Sequence, residues 1–104
     1  MALTKEFKET VQARARRDAA FRRGLLTEAL DCFLAGEIDE GKLLLRDYIN
    51  ATIGFEELAR LTDKTPKSLM RMLSAGGNPR ADNLFSIVSS LQENEGVRLT
   101  VRMG

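Results

Sequence analysis

Three residue types are scarce in this chain: it has no histidine, no tryptophan and a single cysteine, Cys32. One thiol without histidine excludes a His/Cys zinc site and a His-based catalytic triad within one chain, and it excludes an internal disulfide. No phosphate-binding loop or nucleophile–base arrangement is present, so we expect no enzyme, metal or cofactor. Cys32 lies on an apolar helical face and should be a small buried hydrophobe.

Long apolar runs are also missing. No stretch approaches the roughly 18 residues that a membrane-spanning helix needs. The N-terminus reads MALTKEFKETVQ and lacks the apolar core of a signal peptide. We therefore expect a cytoplasmic protein with no membrane partner. At 104 residues the chain has room for one domain, or one domain with an extension, and for a modest core.

The formal net charge is only +1, from 16 basic and 15 acidic side chains. Nucleic-acid binders commonly show a strong basic excess, so such a role would depend on local clusters. Two clusters exist: Arg14, Arg16, Arg17, Arg22 and Arg23 near the N-terminus, and Lys64, Lys67, Arg71 and Arg80 further along. The first could follow DNA phosphates, or it could be a solvated helix face or a partner-binding surface.

Apolar periodicity and capping residues predict five or six helices. The predicted helices cover residues 4–17, then run from the cap Asp18 to Gly36, from about residue 38 to Gly54, over residues 55–61, from the cap Thr65, and from about Asp82. We divide the chain into an N-terminal helical extension, residues 1–37, and a helix-turn-helix DNA-binding domain, residues 38–104. The fold class is all-α.

The segment FEELARLTDKTPKSLMRMLS, residues 55–74, breaks one helix and begins another after a short polar gap. A helix-turn-helix does this so that its second helix enters the DNA major groove while the first crosses the backbone. Ala59 is small enough for close contact, and Leu69 and Met72 would pack the second helix onto the first. The outer face would then present four side chains for base and phosphate contacts: Thr65, Lys67, Ser68 and Arg71. Two amphipathic helices joined by a turn also occur in domains that bind no DNA.

The run ELARLTDKTPKSLMRMLS, followed by GGNPRADNLFSIVSSL and VRLTV, resembles the addiction-module antidote (antitoxin) family of Cro-like helix-turn-helix regulators. The resemblance covers roughly residues 43–102, and Gly77-Asn78-Pro79 after Arg71 and Leu73 is its most specific part. It implies a Cro/phage-repressor-like core, an antitoxin that represses its own operon, and a toxin as a possible partner. Lys64, Asn78 and Arg80 are further candidates for DNA phosphate contacts. The chain departs from the family at Thr62, Asp63 and Lys64, where the family has Leu, Gly and a β-branched apolar residue.

The C-terminal segment VRLTVRM alternates apolar and polar residues and predicts a short β-strand. Everything else reads as helical, so this strand would pair with its copy in a homodimer; the alternative is an irregular tail packed on its own domain. The leading function is a sequence-specific regulator that binds double-stranded DNA. The alternative function is a protein-interaction module on a helix-turn-helix scaffold with little DNA affinity.

Overall fold

Helices account for all the regular secondary structure that the structure describes. The computed structural model describes residues 5–104, with side chains from residue 10 onward. The helices are α1 (Lys5–Arg17), α2 (Ala19–Leu34), α3 (Ile38–Ala51), α4 (Phe55–Thr62), α5 (Pro66–Met72) and α6 (Ala81–Glu95). The predicted all-α class is therefore confirmed. None of the described helices combines the length and apolar character needed to cross a bilayer.

Local residues set several of the helix ends. The Asp18 carboxylate accepts a hydrogen bond from the Phe21 amide at 3.1 Å and begins α2. The Thr65 hydroxyl accepts one from the Ser68 amide at 3.1 Å and begins α5, with Pro66 as its first residue. Gly54 lies between α3 and α4 with a φ of 79°, a backbone region that glycine enters without strain.

One hydrophobic core joins α2 to the helices that follow it. Its fully buried residues are Leu26 and Ala29 from α2, Leu45, Tyr48 and Ile49 from α3, Leu58 from α4, Leu69 from α5, Leu73 directly after α5, and Ile87 and Leu91 from α6. Cys32 is buried, as its apolar position predicted. The proposed boundary at residue 37 stays a prediction, and α2 shares the core of residues 38–104.

A buried carboxylate ties α6 to α2 and α3. Glu95 exposes 4% of its side chain and accepts hydrogen bonds from the Arg22 Nε at 2.9 Å, the Arg23 Nε at 3.2 Å and the Tyr48 hydroxyl. Burial works against the charged form of Glu95, but the hydrogen bonds from Arg22, Tyr48 and Arg23 outweigh it and leave the pKa of Glu95 below its ordinary value. Burial, aided by the bond to Glu95, raises the pKa of Tyr48. The cluster fixes the C-terminal end of α6.

The prediction of a C-terminal strand is wrong for the described chain. Residues 97–104 form a tail without regular secondary structure. The Val97 amide donates to the Gln92 carbonyl at 3.1 Å, and the Leu99 amide donates to the Gln92 Oε1 at 2.6 Å. A strand needs a neighbouring strand to satisfy its backbone groups, and the described residues before the tail form only helices and loops. Leu99 packs against the core, whereas Val101 and Met103 remain 78% and 94% exposed.

Candidate nucleic-acid interface

The predicted pair of short helices is present as α4 and α5, and a small buried contact holds them together. Leu58 and Leu69 are fully buried, and Ala59 exposes only 3% of its surface. The small Ala59 side chain suits a close approach of the two helices. Leu73, directly after α5, is also fully buried, and Met72 is half-buried against the same core. The buried side of α5 is therefore the one that the apolar spacing predicted.

Asp63 makes the turn between α4 and α5 in the left-handed conformation, with a φ of 55°. Asp and Asn tolerate this region better than most non-glycine residues. The turn is closed by the Lys64 amide, which donates to the Ala59 carbonyl at 2.9 Å. The Thr62 hydroxyl donates to the Leu58 carbonyl at 2.8 Å, so its polar group is satisfied within α4. Asp63 stands where the resembled family has glycine, and the hydrogen bonds of the turn itself accommodate it.

The outer face of α5 presents basic and apolar side chains together. Lys67 and Arg71 are both exposed, and their four-residue spacing places them on one side of the helix. Met70 lies between them and is 50% exposed. Thr65 is exposed at the helix start, while Ser68 is half-buried with its amide already used by the Thr65 cap. Met70 was missed from the sequence, although its three-residue spacing from Lys67 would have placed it on this face.

Lys42 of α3 holds the loop after α5 in place through hydrogen bonds. The Lys42 ammonium donates to the Ser74 carbonyl at 2.8 Å and to the Gly77 carbonyl at 2.7 Å, and it lies 3.1 Å from the Asp39 carboxylate. Lys42 itself is only 2% exposed. A Cβ atom on Gly77 would lie 2.1 Å from the Arg71 carbonyl oxygen, so this position requires glycine.

The three further candidates for DNA phosphate contacts lie at the edges of the surface that α5 presents. Lys64 is half-buried at the turn, and Asn78 and Arg80 are exposed in the loop before α6. The Arg80 Nε lies 3.4 Å from the Asp82 carboxylate, and both side chains are largely in solvent. Such a pair contributes little to stability and leaves the Arg80 side chain accessible.

Much of the N-terminal arginine cluster is occupied by contacts within the chain. Arg22 and Arg23 bind Glu95, and the Arg14 guanidinium lies 4.3 Å from the centre of the Phe21 ring. Arg16 and Arg17 are exposed at the end of α1. A phosphate-binding role for the whole cluster, left open by the sequence, would therefore depend mainly on these two residues.

Among the residues that the structure describes, one group of potential metal ligands lies on the α2–α3 side. The ligand atoms of Cys32, Glu37 and Glu40 are all within 4.8 Å of one another. Burial, together with the neighbouring carboxylates, raises the pKa of the Cys32 thiol, and metal binding requires the thiolate. Glu37 and Glu40 are both exposed, and the expectation of a protein without a metal stays a prediction.

Comparison of the chain with protein-family models, with curated proteins and with solved structures found no match. The functional argument consequently depends on the geometry of α4, α5 and the loop that follows.

Proposed function

We propose that this chain is a sequence-specific DNA-binding transcriptional regulator, and that it acts as the antitoxin of a toxin–antitoxin module that represses its own operon. In this proposal, α5 enters the major groove of double-stranded DNA. The toxin is a proposed partner, and the antitoxin role depends on the sequence resemblance alone. The Cro-like character of the core is part of the same proposal.

The observation that carries the DNA-binding proposal is the division of α5 into a buried and an exposed side. Leu69 anchors the helix completely, while Lys67, Met70 and Arg71 face outward. Arg is the side chain best suited to bind a guanine edge through two hydrogen bonds, and an apolar side chain beside it can contact a thymine methyl group. Lys67 supplies a positive charge for phosphate.

Binding to DNA is tested with the segment upstream of the chain's own gene and a shuffled duplex of equal length, at several salt concentrations. We expect the upstream segment to bind more tightly, with affinity that falls as salt rises. Arg71→Ala should lose on the order of 1–3 kcal/mol of binding free energy on the upstream segment, and less on the shuffled one.

The matched control is Arg17→Ala, which removes the same charge from an exposed site on α1. It should weaken binding to both duplexes by similar small factors, or not at all. An Arg71→Ala protein that is folded and binds as wild type does would refute the orientation of α5. Equal losses for the two variants would reduce Arg71 to a general phosphate contact.

The alternative function is a protein-interaction module that keeps the helix-turn-helix scaffold but has little DNA affinity. The near-neutral charge and the cluster of exposed apolar side chains at Leu34, Ile38 and Phe85 favour it. A wild-type chain that shows no preference for the upstream segment even at low salt would decide for this alternative.

A further inference from the structure

An apolar groove lies between the C-terminal half of α2, the start of α3, α6 and the C-terminal tail. Its volume is about 520 Å³. Buried or half-buried residues line it, among them Leu30, Phe33, Leu84 and Val88. Three of its lining side chains are largely in solvent: Leu34 at 67%, Ile38 at 44% and Phe85 at 62% exposure.

The tail forms one wall of this groove and then leaves it. Leu99, Thr100 and Val101 line the groove, but Val101 is 78% exposed and Met103 is 94% exposed. Within the described residues, no hydrogen bond holds the backbone of residues 100–104. The tail therefore carries uncovered apolar side chains and unpaired backbone groups beside an uncovered apolar groove.

We propose that a second copy of this chain covers the groove. Two copies related by a two-fold axis would place their grooves face to face, with Met103 of each copy inserted into the groove of the other and the exposed Val101 covered at the groove edge. The same surface is then used on both copies, which closes the assembly as a dimer. The contact is made by side chains in a groove and needs no strand pairing. It does not depend on DNA binding.

The exposed apolar area is of the right size for a dimer contact. Leu34, Ile38, Phe85, Val101 and Met103 together expose on the order of 500 Å² per copy, given typical areas of large side chains. Stable interfaces bury about 800 Å² per partner, and the half-buried groove lining would supply much of the remainder. A patch of this size is at the upper end of what monomers leave in water.

The charges of groove and tail are complementary. Asp31 on α2 is the charged residue among those that line the groove, and it is exposed. The tail carries Arg98 and Arg102 and no acidic residue. Asp31 forms no ion pair among the residues that the structure describes. A tail from the second copy would place Arg102 beside Asp31 while Met103 enters the groove.

Sedimentation of the full chain between about 1 and 100 µM measures the dimerisation constant directly. We expect the wild type to dimerise in this range. Phe85→Ser and Met103→Ser should each weaken dimerisation roughly tenfold or more. Met70→Ser is the matched control because Met70 is also exposed but lies on α5, outside the groove lining. All three sites are on the surface, and thermal unfolding confirms that the variants are folded.

A charge reversal tests the trans contact between Asp31 and Arg102. Asp31→Arg and Arg102→Asp should each weaken self-association several-fold, because each symmetric dimer would then bring like charges together twice. An equimolar mixture of the two variants should restore wild-type affinity, since both contacts of the mixed dimer again pair opposite charges.

A wild-type chain that remains monomeric at about 100 µM overturns the proposal and leaves the groove to a different protein. Unchanged dimerisation of Phe85→Ser and Met103→Ser also overturns it, as does a mixture of the charge variants that associates no better than either alone.

Discussion

Lys42 should be the residue on which the geometry of the loop after α5 most depends, and Lys42→Met tests this. Methionine keeps most of the apolar stem but removes the ammonium that binds the Ser74 and Gly77 carbonyls at 2.8 and 2.7 Å. The Lys42 side chain is almost completely buried, so water does not compete freely for these carbonyls. The substitution therefore disconnects α3 from the loop that follows α5.

The expected cost follows from the two hydrogen bonds. A hydrogen bond to a charged group contributes about 1.5–3 kcal/mol, and methionine avoids the desolvation cost of a buried ammonium, which offsets part of the loss. We expect the free energy of unfolding to fall by roughly 2–4 kcal/mol. For a domain of this size, that corresponds to a decrease in melting temperature on the order of 10–20 °C.

The assay is urea unfolding followed by circular dichroism, with amide exchange of the loop as a local measure. The Gly77 amide, which donates to the Ser74 carbonyl at 3.0 Å, should exchange faster in the variant. The matched control is Asp39→Ala. It removes the exposed carboxylate next to Lys42 and should cost under about 1 kcal/mol. A Lys42→Met protein within about 0.5 kcal/mol of wild type, with unchanged exchange at Gly77, would refute the anchoring role.

Three further changes test the core, the loop and the buried carboxylate. Leu73→Ala should lower the free energy of unfolding by about 2–5 kcal/mol because its side chain is fully buried; a melting temperature equal to that of wild type would contradict this. Gly77→Ala should destabilise by about 1–3 kcal/mol or more through its clash with the Arg71 carbonyl. Gly76→Ala, which meets nothing within 4 Å, should be close to neutral, and equal unfolding curves for the two glycine variants would exclude the clash. The lowered pKa of Glu95 means that its contribution to stability is present above the unfolded value, near 4.5, and is lost as pH falls through the lower folded value. In acid unfolding, Glu95→Gln should therefore be less stable than wild type at pH 7 and lose less stability below pH 4.5; parallel pH curves would argue against this.

Helix positions were predictable because their determinants are local. Asp18 and Thr65 cap the helices that they were expected to cap, and Gly54 lies between α3 and α4. The buried side of α5 was predicted from Leu69 and Met72, of which Leu69 is fully buried and Met72 is half-buried. Asp63 stands where the resembled family has glycine, and the chain enters the left-handed region at this residue.

The strand prediction at the C-terminus failed because alternation describes only side-chain spacing. Whether such a segment becomes a strand depends on a partner backbone, which is a property of the assembled fold. The described chain provides helices on all sides, so the tail binds Gln92 instead and buries only part of its apolar residues.

In the candidate site, too, features that depend on local spacing were predictable and features that depend on packing were not. The exposure of Lys67 and Arg71 was predictable from the helical period. The hydrogen bonds by which Lys42 holds the loop after α5 were not predictable. Lys42 reads as an ordinary surface lysine in a charged segment, and only the packing of α3 against the loop shows it to be buried and hydrogen-bonded.

The sequence by itself determined which segments become helices, where they begin and which face of each is apolar, because periodicity, capping side chains and glycine act within a few residues of their own position. The tertiary structure alone decided which polar groups meet across long distances in the chain. Arg22 and Glu95 are separated by 73 residues, and Lys42 and Gly77 by 35. It also decided that the apolar groove and the tail lie side by side. Contacts of this kind depend on how complete helices pack, and packing is set by the fit of whole surfaces rather than by any local pattern.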